Sequence, residues 1–353
     1  MNYILGILKK IIPDVLRRRL RLGVDYIAFL TNYARDAKRF IKYSAFRDFP
    51  RSRTHLRALI TMDYHGIEKG LSLANPRGWF GQVLIERLTA NLEKYIQAYG
   101  RDDLTTIAGD SLSSYYKFSF GAEGGSRKSG GDFRVGEPTK AAYRGPGDLE
   151  CLGDAGGVQM VEKNRIINAA RIDFEAFVKS RHSVRHFSQE PVDANLIKKA
   201  VEMAIFTPSV CNRQAWRVYG IYDNVLKAIS LELQRGNRGF TDQISKVLIV
   251  TCDLENFSSV GERNQAWVDG GMFAMSLVYA LHAEGLGTCC LNWCKTQQTD
   301  VALRRAIGLP DNEVVIMMLA VGNLPDRFNV ALSKRRSLDE VLFDDWGIGP
   351  KAG

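Results

Sequence analysis

Between Gly121 and Gly157 the chain carries eleven glycines, with Pro138 and Pro146, and no sustained hydrophobic period. A stretch of this kind has no apolar stripe to bury and loses much backbone entropy on ordering. It reads as a linker or a long irregular loop, so it divides what the chain can fold into. The 353 residues are enough for two domains. The division expected is a basic helical region over 1–120, the glycine-rich segment over 121–160 and a regular domain over 161–345.

Charge falls on one side of this division. Residues 1–60 hold fourteen Lys and Arg against four Asp and Glu, a surplus of ten, whereas the whole chain carries +9. A basic end on a neutral body points to an acidic partner surface. Residues 3–22 read as a basic amphipathic helix, with Ile4, Leu5, Ile7, Leu8, Ile11, Ile12 and Val15 at helical spacing and Pro13 as a kink or break. Lying on an anionic membrane and packing on its own protein both suit residues 1–22. Residues 24–60 continue helical, with Tyr26, Phe29, Tyr33, Phe40 and Tyr43 as a stripe expected to be core. No nucleic-acid motif accompanies it, and no nucleic acid is expected as a partner. His65 and Glu68 share a helix face, expected to tie structure rather than perform acid–base chemistry. Residues 79–99 form another helix, with Phe80, Val83, Leu84, Leu88, Leu92 and Tyr95 inward.

Beyond the glycine-rich segment, helices and strands alternate. Residues 160–180 read as helical. Asp193 to Phe206 is a helix begun by an aspartate near its N-cap, with Leu196, Ile197, Ala200, Val201 and Ala204 inward. Strands follow over Arg217 to Tyr222, Lys246 to Cys252, Thr288 to Trp293 and Glu313 to Val321. Helices span Leu226 to Leu233, Trp267 to Glu284 and Gln298 to Ile307. The helix from Trp267 is nearly all apolar, which suits a large core or a subunit interface, and Gly285-Leu286-Gly287 closes it.

No apolar run reaches about eighteen residues, so no transmembrane helix is expected. The N-terminus lacks the pattern of a signal peptide. Six cysteines without a CxxC pair suit a reducing cytoplasm. GxGxxG, Walker, HExxH and GxSxG motifs are absent. What stands out is Ser180-Arg181-His182-Ser183-Val184-Arg185-His186-Phe187, an anion site in prospect: a guanidinium fork, a hydroxyl and a second cation within five residues. A second polar cluster, Pro208-Ser209-Val210-Cys211-Asn212-Arg213-Gln214-Ala215-Trp216, follows a helix.

Taken together, these pieces resemble the nitroreductase family of FMN-dependent oxidoreductases. The resemblance lies in Arg181-His182-Ser183-Val184-Arg185 with Phe187, and in Pro208-Ser209 followed by Asn212-x-Gln214-x-Trp216. It continues in the helix ending at Gly285-Leu286-Gly287, the strand Val314 to Val321 closed by Gly322, and the tail Lys334-Arg335-Arg336. It covers about residues 170–345. It implies an α+β fold with a mixed, mostly antiparallel sheet flanked by helices in an intertwined homodimer, here preceded by a helical region that the family's usual member lacks.

The resemblance also implies a site. Arg181, Arg185, Lys334 and Arg336 would hold the FMN phosphate. Ser183 and His182 would touch phosphate, ribityl chain or ring edge. Ser209 belongs to the second cluster, from which Asn212 and Gln214 would reach the flavin from the opposite subunit. Asn237 would meet the ring, and Leu291, Asn292 and Trp293, with Cys294, would bring backbone N–H groups to N5. NADH or NADPH would serve as donor in ping-pong reduction of a nitro, quinone or enone-like acceptor, with no protein acid required. A flavin-fold scaffold without turnover, anchored by its basic end, is the alternative.

Overall fold

The computed structural model describes residues 14–45, 52–122 and 155–342. Most of the proposed membrane-facing helix and most of the glycine-rich segment fall outside these residues. The helix α1 (Asp14–Tyr43) ends well before residue 60, and a new helix, α2 (Arg53–Leu71), starts where the Ser52 side chain accepts from the His55 amide. Then come α3 (Gln82–Tyr99) and α4 (Asp103–Ala122), a helix the sequence reading does not name. Helices α2 to α4 pack around Ile60, Ile67, Leu88, Leu112 and the fully buried Tyr95 and Tyr115.

Two expectations about this region are corrected. Val83 is exposed and Ile85 takes an inward place beside Leu88, Leu92 and Tyr95, which are buried as expected. Tyr26, Phe29 and Tyr33 are exposed; only Phe40 is buried and Tyr43 packs on the main core. The inward face of α1 runs instead through Asn32, Arg35, Arg39 and Phe40, a helical spacing, and it grips the C-terminal domain by polar contacts. Arg39 donates to the carbonyls of Asp311 and Glu313.

The end of the glycine-rich segment docks on this bundle. The Ala155 amide donates to Asp110, and Gly157 donates to Glu68, which also accepts from Ser111 and lies 3.1 Å from His65. His65 and Glu68 therefore tie the packing, and a Cβ on Gly156 would lie 2.2 Å from the Ile107 carbonyl oxygen.

Residues 160–180 split into α5 (Lys163–Ala169) and α6 (Phe174–Ser180), restarted by the Asp173 cap. The sheet domain continues with α7 (Ala194–Ala204), β1 (Trp216–Ile221), α8 (Asn224–Gln234) and β2 (Lys246–Asp253). It closes with α9 (Gln265–Ala283), β3 (Leu286–Asn292), α10 (Gln297–Ile307) and β4 (Glu313–Asn323). The strands form one antiparallel sheet in the order β1-β2-β4-β3, and Ser183 adds a single parallel bridge to Thr288. Helices α7 and α9 cover one face around Phe273, Leu277 and Leu281. Leu231, Ile244 and Leu303 fill the other face.

Gly285, at φ +76°, is the residue that ends α9; Leu286 and Gly287 already belong to β3. Gly287 has a different purpose. It lies opposite Gly322 across β3 and β4, and the Phe187 ring sits on the pair. A Cβ on Gly322 would come within 2.5 Å of that ring, which is fully buried. Gly322→Ala is therefore expected to destabilise the domain by about 1–3 kcal/mol through overpacking. Gly261→Ala, with only Ser259 Oγ at 3.7 Å, should change little. Chemical denaturation of the two variants checks the contrast.

Candidate functional site

The Phe187 platform determines where the first basic cluster lies. Phe187 donates its amide to Gln243, Val184 donates to the Thr288 carbonyl and Ser188 donates to the Asn323 carbonyl. These bonds hold Arg181 to Arg185 along β3, at one edge of the sheet. Arg181 and Ser183 are half-buried, while His182 and Arg185 are exposed. Neither Arg181 nor Arg185 pairs with a described carboxylate; Arg185 donates only to the Ser183 carbonyl. Burial raises the thiols of Cys289 and Cys290, and the charges of Arg185 and Arg181 oppose that rise at each in turn. Two unpaired cations thus flank β3, the electrostatic requirement for a bound anion.

The second cluster stands at the opposite edge, immediately before β1. Its backbone is unusual: Cys211, Asn212 and Gln214 all have positive φ, at 47°, 54° and 48°. Non-glycine residues there cost of the order of 1 kcal/mol or more each and persist only where the surroundings force them. Here a buried guanidinium does so. Arg213, with 1% of its side chain exposed, makes two hydrogen bonds to the Glu262 carboxylate and lies over the Phe257 ring. The Gln214 amide donates to Ser209 Oγ, the Val210 amide to Asp269, and helix α2 packs against the turn. Burial favours a raised Glu262 carboxyl, but Arg213 and the amides of Ser258 and Ser259 outweigh it and hold it low. The turn leaves Gln214 exposed, donating to the Asn212 side chain, and Asn212 half-buried.

A third group meets at the end of β3. Leu291 is buried in the core, so it contributes backbone only. Gln234, from the end of α8, donates to the Asn292 carbonyl, and Lys295 donates to the Gln234 carbonyl. Trp293 donates its indole N–H to Asp300 at 3.0 Å. Burial tends to raise the Asp300 carboxyl, yet Arg304, the Trp293 indole and Arg39 hold it below the usual range. Cys294 is exposed and free. Asn237, in the turn after α8, is 3% exposed; its amide donates to Thr241, while its Oδ1 is buried with no hydrogen-bond partner among the described residues. A buried carbonyl oxygen left in this condition costs about 1–3 kcal/mol unless a water or a ligand donates to it.

The structure thus gathers Arg181 to Arg185 with β3, and it ties Gln234, three residues before Asn237, to Asn292, but it leaves Ser209, Asn212 and Gln214 at the far edge. Three strand spacings of about 4.8 Å separate β1 from β3. Lys334 and Arg336 are exposed, with no described contact to either cluster. Two surface clefts, of about 450 and 430 Å³, are lined by other residues: Met203, Phe206 and Glu284 among them in one, Phe187 and Gln243 in the other. Neither includes a residue expected at the site, and neither carries the chemistry.

Sequence reasoning passed over Gly287 and Gly322 as a platform, Glu262 as the partner of Arg213, and Asp300 as the partner of Trp293. Glycines inside strands carry the first signal, because they mark close approach. The other two pairings span 49 and 7 residues without a motif.

Residues 178–323 match the model of the nitroreductase family. A NADH dehydrogenase of Thermus thermophilus is 23% identical over 182 residues, covering 43% of this chain and 86% of that protein. An FMN-dependent nitroreductase from Clostridium difficile overlays with a TM-score of 0.41 at 18% identity over 48% of this chain and 98% of its own. A nitroreductase family protein from Streptococcus pneumoniae overlays with a TM-score of 0.39 at 19% identity over 48% and 99%.

Proposed function

We propose, with residues 178–323 as a nitroreductase-family domain for premise, that the chain is an FMN-dependent oxidoreductase whose site is completed by a second copy. The observation that carries this reading is the split of the site: unpaired cations along β3 at one edge of the sheet, a strained polar turn before β1 at the other. A C2 pair can place one edge against the partner's opposite edge and join the two sets. The surface for such a pair exists. Helix α9 buries Phe273 and Leu277 but exposes Trp267, Val268, Met272 and Met275, and Phe206 at the end of α7 is 86% exposed. The buried half of α9 belongs to the core, and its exposed half is proposed as the interface.

The donor set suits the cofactor's phosphate: Arg181 and Arg185 have no described carboxylate partner and lie beside a hydroxyl at Ser183. Arg181 and Arg185, with Ser183 and His182, would hold the phosphate end, joined by Lys334 and Arg336 of the tail. Asn237 would spend its unpartnered Oδ1 on a ring N–H. Amides of Leu291, Asn292 and Trp293 would face the ring edge, and Ser209 would brace the turn that presents Asn212 and Gln214. FMN, when bound, supplies two-electron chemistry between NADH or NADPH and a nitro, quinone or enone-like acceptor. Backbone N–H groups at the ring edge would stabilise negative charge that grows on reduction. The chain's own part is to bind, orient and exclude water, with no acid–base residue assigned.

The domain limits 1–120, 121–160 and 161–345 belong to the same proposal, as does a peripheral contact of residues 1–22 with anionic lipid. Among the described residues no helix is long and apolar enough to cross a membrane. Flotation with anionic vesicles, comparing the full chain with one starting near residue 25, decides the lipid contact. The activity is tested by anaerobic reduction of the FMN-loaded protein with NADH or NADPH, followed by a screen of nitro, quinone and enone acceptors. Reoxidation by one class supports the assignment; reoxidation by none, with the flavin bound, makes the protein a scaffold.

A further inference from the structure

The N-terminal helix α1 reaches the ring-edge segment through an unbroken set of polar contacts. Helix α10 begins at Gln297, and its own N-cap residue, Thr296, makes no capping bond to it. Asn32 of α1 supplies the missing acceptor: the Gln297 amide donates to Asn32 Oδ1 at 3.2 Å. One turn further along α1, Arg35 donates to the Gln297 carbonyl and lies 3.6 Å from Asp300. Both side chains of that ion pair are largely buried, 18% and 12% exposed. Asp300 in turn accepts the Trp293 indole N–H and is braced by Arg304 at 2.7 Å. Trp293 lies inside the segment Asn292–Cys294. The two residues between Cys294 and the start of α10, Lys295 and Thr296, leave little slack, since each spans at most about 3.6 Å.

We propose that Asp300, fixed by Arg35 of α1 and by Arg304, is a positioning residue that holds Trp293 and with it the backbone amides of 292–294. The N-terminal region is then part of the site's construction rather than an appendage. This rests on the FMN reading for its consequence, though not for its geometry. Asn32 and Arg35 act by orienting the start of α10, and neither touches the cofactor.

The test uses the full chain with Arg35→Met, Trp293→Phe and the double variant. Arg35→Met keeps an apolar chain of similar length in a largely buried place and leaves Asp300 paired with Arg304, so folding should survive; unchanged exchange in β2 confirms it. In the flavin-free protein, amide exchange at 292–297 should rise about tenfold in Arg35→Met, as expected for loss of one charge-assisted contact. With FMN added, its Kd should weaken by a similar factor. Trp293→Phe should do the same, and the double variant should be no worse than Trp293→Phe alone, because both act through one relay. Unchanged exchange at 292–297 in Arg35→Met, or additive effects in the double variant, overturns the proposal. If the wild type binds no FMN, the functional reading fails while the exchange measurement still decides the relay.

Discussion

Glu262→Ala is expected to cost about 3–5 kcal/mol of stability, the largest single effect in the sheet domain. The reason is what it leaves behind. Arg213 is buried beneath the turn before β1, and Glu262, through two hydrogen bonds, is its match in charge among the described residues. Without the carboxylate an uncompensated guanidinium stays in an apolar site against Phe257. The positive φ angles at Cys211, Asn212 and Gln214 then lose the contact that enforces them. The pH dependence follows from the lowered Glu262 carboxyl. A carboxylate whose folded pKa lies below its unfolded value, near 4.3 for glutamate, stabilises fully above that unfolded value and loses its contribution as pH falls through the folded pKa. The wild type should therefore lose this part of its stability below about pH 4. Glu262→Gln should show a smaller loss with less acid dependence. Denaturant titrations from pH 3 to 7 measure both.

Arg181→Ala is expected to weaken FMN binding about 10–100-fold, the value of a charge-assisted contact of roughly 1.5–3 kcal/mol. Arg181 is half-buried beside β3 and has no described carboxylate to neutralise it, so its removal frees no buried acid. Fold stability should change little. Riboflavin, which lacks the phosphate, is the control: its affinity should be the same in wild type and variant. Flavin fluorescence titrations give both constants. Equal losses for FMN and riboflavin would mean that Arg181 supports the ring or the fold instead of the phosphate.

Much of the sheet domain was legible in the sequence because its signals are local. Asp193 caps α7 as expected, with Ile197, Ala200 and Ala204 beneath it. The runs from Lys246 and Glu313 are buried strands. The N-terminal region was harder to read. Its aromatic stripe at Tyr26, Phe29 and Tyr33 has helical spacing, but burial of a helix face depends on what lies opposite, and α1 is held by Asn32, Arg35 and Arg39 instead. Helix α4 escaped notice because Ser, Thr and Gly interrupt its apolar pattern, while its buried face includes small polar residues such as Thr105 and Ser111. The candidate residues were legible as a list, not as an arrangement. Periodicity cannot reveal that β1 and β3 are opposite edges of one sheet, and this separation makes a second copy necessary to the account.

The most direct measurement is the visible absorption of the purified full chain, combined with its mass in solution after saturation with FMN. The account predicts a yellow protein with a flavin band, one FMN per chain and the mass of a dimer. A colourless protein that binds no added FMN, or one that binds a full equivalent as a monomer, would contradict it.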